Sequence, residues 1–165
     1  MPVELYVIRH GLAAERGNDF PDDNKRPLTA RGISRLKAEA KALAKLGVSF
    51  DQILTSPLVR TRQTADVLAE SMNPKPHVAN TDALAPEGSV AAVLDELGKY
   101  TRRKRIALVG HEPGIGELAA RLIGSRTAVD FKKGAIMRVD FEALPVSRPG
   151  RLRWFLSPRQ LRNLA

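Results

Sequence analysis

At 165 residues, 43% of them apolar, the chain suffices for one domain, and a domain of this size buries about 70% of the surface its unfolded chain exposes. Having no cysteine excludes disulfides, thiolate metal sites and a cysteine nucleophile. Twenty-seven Lys and Arg against 18 Asp and Glu give a net charge of +9, a field that favours anionic substrates or partners.

Glu4 and the pair Arg9-His10 interrupt any N-terminal apolar run, so no signal-peptide pattern is present. No stretch approaches the roughly 20 apolar residues of a membrane span. The expectation is a cytoplasmic protein with no membrane partner. Leu5-Tyr6-Val7-Ile8 reads as a strand buried on both faces. Residues 11–28 are rich in Gly, Asp, Asn and Pro and form a long loop of the kind that often carries function. Thr29 caps a helix whose apolar positions are Ile33, Leu36, Ala40 and Leu43, and Gly47 closes it.

Phe50 to Leu54 reads as a second strand. Ser56-Pro57 then opens a helix, serine as the cap and proline in its first turn. Its buried face is Leu58, Thr61, Ala65, Leu68 and Met72. His77 to Ala79 is a weak strand, and Ala85-Pro86-Glu87-Gly88 is a turn. Ser89 caps a helix bearing Val90, Val93, Leu94 and Leu97. Ile106 to Val109 is a further buried strand, and Pro113 opens a helix with Ile115, Leu118, Leu122 and Ile123. Two strands finish the chain, Gly134 to Phe141 and Arg151 to Ser157. Strands alternating with helices predict an α/β fold, a three-layer α/β/α sandwich with a mostly parallel sheet. The short final link predicts an antiparallel edge.

In open α/β sheets, ligands bind beyond the carboxyl ends of the strands. The first strand runs into Arg9-His10-Gly11, the Ile106 strand into Gly110-His111-Glu112, and the Phe50 strand into Ser56-Pro57 and then Arg60. Two histidines and two arginines therefore converge on one rim, which two helix N-termini also face. Arginine grips two phosphate oxygens and keeps its charge, and an imidazole held in one tautomer is a nucleophile at neutral pH. Glycine at position 11 reads as allowing close approach of backbone to ligand. Taken singly, each residue is as readily an ordinary hydrogen-bonder or ion-pair partner, and His77 reads as structural. No ligand pair has zinc-hydrolase spacing and no P-loop is present, so neither a metal nor a cofactor is expected.

The run LYVIRHG at 5–11, followed by RPLTARG at 26–32, TSPLVRTRQTA at 55–65 and VGHEPGIGEL at 109–118, resembles the histidine phosphatase superfamily, the phosphoglycerate-mutase-like proteins. The ALAPEGS segment at 83–89 and the ending RWFLSPRQL at 153–161 resemble its SixA-type phosphohistidine phosphatases. The resemblance spans nearly the whole chain and implies one histidine-phosphatase domain over 1–165. It implies His10 as the phosphorylated nucleophile, Arg9 and Arg60 as phosphate ligands, and His111 as completing the pocket. Larger members place an acid in a longer insertion after the third strand. Here Glu87 is the one candidate general acid, and the stronger reading of it is a solvated turn carboxylate or a first-turn dipole partner. A weak acid suits a phosphoramidate, whose imidazole leaves more readily than an alkoxide.

The expected activity is metal-independent hydrolysis of protein phosphohistidine. The alternatives are a small-molecule phosphomonoesterase or mutase of the same superfamily, or a non-catalytic phosphoprotein-binding module. The expected partner is a phosphorylated protein, such as an acidic histidine-containing phosphotransfer domain. Lys99 with Arg102-Arg103-Lys104-Arg105, and Arg148, Arg151, Arg153, Arg159 and Arg162, supply either its docking surface or ordinary solubility. Nucleic acid is not expected, because aromatic residues make up only 5% and do not interleave with the basic ones.

Overall fold

The alternation of side-chain direction along the first strand sets the layering. In the computed structural model, which describes residues 2–165, β1 (Val3–Arg9) lies inside the sheet. Val3, Leu5 and Val7 point to one face, and Tyr6 and Ile8 to the other. Both faces are covered, so an unbroken apolar run is what the position demands.

The other strands are β2 (Gln52–Thr55), β3 (His77–Asn80), β4 (Arg105–Gly110), β5 (Ile136–Phe141) and β6 (Arg151–Leu156), in the order β3-β2-β4-β1-β5-β6. The first four strands in that order run parallel. β5 is antiparallel to β1, and β6 is antiparallel to β5. The short final link therefore makes the antiparallel pair expected, with β6 on the edge and β5 as the reversed strand inside.

Helices α3 (Val90–Leu97) and α4 (Gly114–Ile123) cover the Leu5 face through Val93, Leu97, Ile115, Leu118 and Leu122. Helices α1 (Ala30–Lys45), α2 (Val59–Glu70) and α5 (Pro158–Leu164) cover the Tyr6 face through Leu43, Leu68 and Leu161. The sandwich has three layers, as the pattern predicts. No helix of the described residues is long and apolar enough to cross a membrane.

Two caps fall where expected. Thr29 accepts from the Gly32 amide at 2.9 Å and Ser89 from the Ala92 amide at 3.1 Å. Other boundaries move for identifiable reasons. β2 starts two residues later than expected because the Asp51 carboxylate accepts from the Lys104 and Arg105 amides, ahead of the ladder. β5 starts at Ile136 because Gly134 is a turn with φ +91, donating to the Arg9 and His10 carbonyls instead. Ser56 is not the cap of α2; Leu58 holds that position without a side-chain bond. Helix α5 was not anticipated.

Candidate active site

Parallel strands that are neighbours end on the same rim, and this rim gathers the predicted residues. β1 delivers Arg9 and then His10, β4 delivers His111, and Arg60 is the second residue of α2 behind β2. All four line one open cavity of about 300 Å³.

His10 is only 4% exposed. Its Nδ1 lies 2.7 Å from the Gly11 carbonyl oxygen. A carbonyl can only accept, so Nδ1 carries the proton and Nε2 keeps a free lone pair. Burial lowers the ring's pKa to about 3, despite the Gly11 bond and with help from His111, Arg60 and Arg9. The ring is therefore neutral at pH 7. The segment is clamped from α2, because the Gly11 amide donates to Thr64 Oγ1 at 3.1 Å and that hydroxyl donates to the Arg60 carbonyl at 2.7 Å. Gly11 serves packing rather than ligand approach. A Cβ there would stand 2.8 Å from Leu36 Cδ1 on α1.

His111, 6% exposed, sits with its ring centroid 5.4 Å from that of His10. Its Nε2 is 2.9 Å from Ser56 Oγ. Ser56 Oγ accepts from the Leu58 amide at 3.3 Å and is free to donate its own proton to Nε2. In that tautomer the ring proton resides on Nδ1. Burial, followed by Arg60, lowers the His111 pKa to about 4. Serine at 56 thus orients a histidine, a role its sequence position as a cap conceals.

Arg9 donates from Nη1 to the Phe131 carbonyl at 2.7 Å. Arg60, 3% exposed, donates from Nη1 to the Asp23 carbonyl at 2.8 Å and from Nη2 to Asp23 Oδ2 at 3.1 Å. Arg9 Nε, Arg60 Nε and His111 Nδ1 are buried with no acceptor in the protein. An unmatched buried donor costs about 1–3 kcal/mol. Three of them on residues lining one cavity, around a free imidazole nitrogen, describe a site for an oxyanion.

Sequence reasoning missed two members. Arg26 is buried at the cavity wall and donates to Asp23 Oδ1 at 3.0 Å and to the Ala14 carbonyl at 2.8 Å. Asp23 also meets Arg16 at 3.4 Å. Burial raises the Asp23 pKa, but Arg26, Arg60 and Arg16 outweigh it and hold the carboxyl below its ordinary range. The length of loop 11–28 was the available signal. Glu112 braces the site from behind, accepting from the Gly116 amide at 2.7 Å and the Phe131 amide at 3.1 Å.

Glu87 is exposed in the turn after a short 3-10 segment at Asp82–Leu84, and it does not line the cavity. His77 stands at the opposite end of the sheet, paired with Gln52. The basic knot lies there too. Arg105 pairs with Glu4 in the ladder and Gly110 with Arg9, so roughly 16 Å of strand separates knot from site.

A family model of the histidine phosphatase superfamily, branch 1, matches residues 5–85. An uncharacterized protein of Picosynechococcus is 42% identical over 140 residues, covering 82% of this chain and 83% of the relative. The chain belongs to the histidine phosphatase superfamily. Among other members, the phosphohistidine phosphatase SixA of Escherichia coli is 29% identical over 162 residues, 97% of each chain. A structure of the protein histidine phosphatase SixA complexed with tungstate superposes with a TM-score of 0.85 at 27% identity, covering 96% of this chain and 99% of that one. The family match takes in Arg9, His10, Arg26 and Arg60 of this histidine phosphatase. His111 lies beyond it and joins the site through the geometry of β4.

Proposed function

We propose that this histidine phosphatase hydrolyses phosphohistidine in proteins, without a metal ion, through a phosphoenzyme on His10. The observation that carries the reading is the neutral, buried His10 ring with Nε2 free among three unmatched donors. Two SixA relatives of the chain are phosphohistidine phosphatases by name, which supports the substrate class.

In the first step Nε2 of His10 attacks phosphorus, forming an N–P bond as the substrate's N–P bond breaks. A phosphoimidazole protonated on its other ring nitrogen leaves as neutral imidazole and needs no acid. Arg9, Arg60 and His111 Nδ1–H hold the equatorial oxygens, where charge stabilisation and positioning do most of the catalytic work. In the second step water attacks the phosphorus of phospho-His10. Its proton goes to the released phosphate, and the His10 lone pair is restored. Guanidinium groups supply the positive charge, and among the described residues no group of three or more His, Asp or Glu is placed to hold a metal ion. The partner in this reading is a phosphorylated protein such as an acidic histidine-containing phosphotransfer domain.

A phosphomonoesterase is the second reading, and one observation favours it. Glu15, an exposed carboxylate, lines the cavity, and an alkoxide leaving group needs a proton. Turnover of a phosphohistidine protein and an alkyl phosphate by wild type and Glu15→Gln separates the two. Phosphohistidine hydrolysis unaffected by Glu15→Gln, with slow alkyl phosphate hydrolysis, supports the first reading. A fast alkyl phosphatase that collapses in Glu15→Gln supports the second.

A further inference from the structure

A second cleft of about 200 Å³ opens beside the His10 cavity, between α1, the turn before β5, and α5. Gly11 and Leu12, the residues after the nucleophile, form one wall, and Lys133 borders both cavities. Arg35, Lys132, Arg159 and Arg162 also line it. None of these five cations is in an ion pair among the described residues. At the far end of the sheet Arg105, Arg138 and Arg153 are matched by Glu4 and Asp140. Unpaired positive charge therefore stands next to the His10 cavity as well as at the Arg102–Lys104 knot, and only here, among the described residues, does it line a cleft with a buried, unpartnered side-chain oxygen. The cations of this cleft oppose one another, because partial desolvation and the neighbouring Arg31 and Arg162 lower the Arg35 pKa.

The acid lining this cleft is Glu39, 1% exposed, with Oε2 buried and without a partner. Burial, opposed only by Arg162, pushes its pKa up to about 9. At pH 7 it carries a proton, so it offers a hydroxyl donor and no competing charge. Five free cations around a donor fit one oxyanion. The small volume admits a side chain and not an element of secondary structure.

We propose that this cleft is a second anion site, which seats a carboxylate side chain of the acidic protein that presents its phosphohistidine to His10. The proposal rests on the phosphoprotein reading above, and it places the docking contact on α1 and α5 rather than on the Arg102–Arg105 knot or β6.

The test uses the full chain, isotope-labelled, titrated with a hexaglutamate peptide. Amide shifts are expected at Arg35, Glu39, Lys132 and Arg159. They persist in His10→Ala and disappear in the double variant Arg35→Glu/Arg159→Glu. In kinetics the same double variant raises KM for a phosphohistidine protein by roughly tenfold and leaves hydrolysis of a small aryl phosphate unchanged. The unchanged aryl phosphatase rate also shows that the variant is folded. Shifts confined to Arg102–Arg105 or Arg151–Arg153, or an unaltered KM, overturn the proposal. Should wild type hydrolyse no phosphohistidine protein, the substrate reading falls, while the peptide titration still decides the cleft.

Discussion

In the proposed mechanism, burial of His10 takes the place of a general base. A neutral ring is needed, and a folded-state pKa of about 3 supplies it across the physiological range. The ring resonances of His10 should therefore not titrate between about pH 5 and pH 8. His111, at about 4, should behave alike, and a midpoint near 6.5 for either ring contradicts the account. The sign for stability follows. The unfolded rings take up protons below about 6.5 and the folded rings do not, so stability falls as pH drops from there toward about 4. Each ring contributes up to about 1.4 kcal/mol per pH unit in that window. Removing a preorganised donor should be felt in turnover. Arg9→Ala, Arg60→Ala and His111→Ala are each expected to lower kcat on the order of 10²–10³-fold, and a near-normal Arg60→Ala enzyme would remove that residue from the site. Glu87→Gln should leave phosphohistidine hydrolysis intact, since the side chain stands in solvent outside the cavity. Loss of that activity in a folded variant would restore Glu87 as a general acid.

Elements, more than single residues, decide whether this rim is assembled. The His10-Gly11 segment is pressed between α1 and α2, so Gly11→Ala should drive a methyl into Leu36 and cost about 1–3 kcal/mol. A thermal melt of Gly11→Ala beside Gly11→Ala/Leu36→Ala measures this, and partial recovery in the double variant assigns the loss to that contact. An unchanged melt for the single variant would mean that α1 yields freely. The strands behind Arg9, His10 and His111 were legible because a strand covered on both faces must be continuously apolar, as Leu5–Ile8 and Ile106–Val109 are. Thr29 and Ser89 were legible as caps because a side-chain oxygen ahead of an apolar period has few other uses. Ser56 fits the same rule, yet its oxygen orients His111. Helix α5 escaped notice because it buries a single residue, Leu161, over seven positions. Its signal was Ser157-Pro158-Arg159-Gln160, a capping box in which Ser157 Oγ accepts from the Gln160 amide at 3.1 Å. Asp23 and Arg26 had no such signal, because nothing periodic singles out two residues within an eighteen-residue polar loop.

Over the whole molecule, the cleft beside His10 is distinguished by where its charge stands. At the far end Arg105, Arg138 and Arg153 are paired with Glu4 and Asp140, whereas among the described residues Arg35, Arg159, Arg162, Lys132 and Lys133 have no carboxylate partner around a protonated Glu39. A folded-state pKa raised to about 9 means that the Glu39 contribution to stability is complete below about pH 4.5 and is lost as pH rises toward 9. Glu39→Gln should therefore match wild type in melting at pH 5 and equal or exceed it at pH 9. A wild type that melts higher than Glu39→Gln at pH 9 would show Glu39 ionised and paired with Arg35 or Arg162. In the proposed mechanism all of these features serve one event, the passage of a phosphoryl group through His10. Rapid quenching of the enzyme during turnover of a phosphohistidine protein, in chelator, followed by intact mass and peptide mapping, tests that event most directly. The account predicts one phosphoryl group per chain on His10, labile in acid, stable in alkali and absent from His10→Ala. Sustained turnover by His10→Ala, or activity abolished by chelator and restored by a divalent ion, would contradict it.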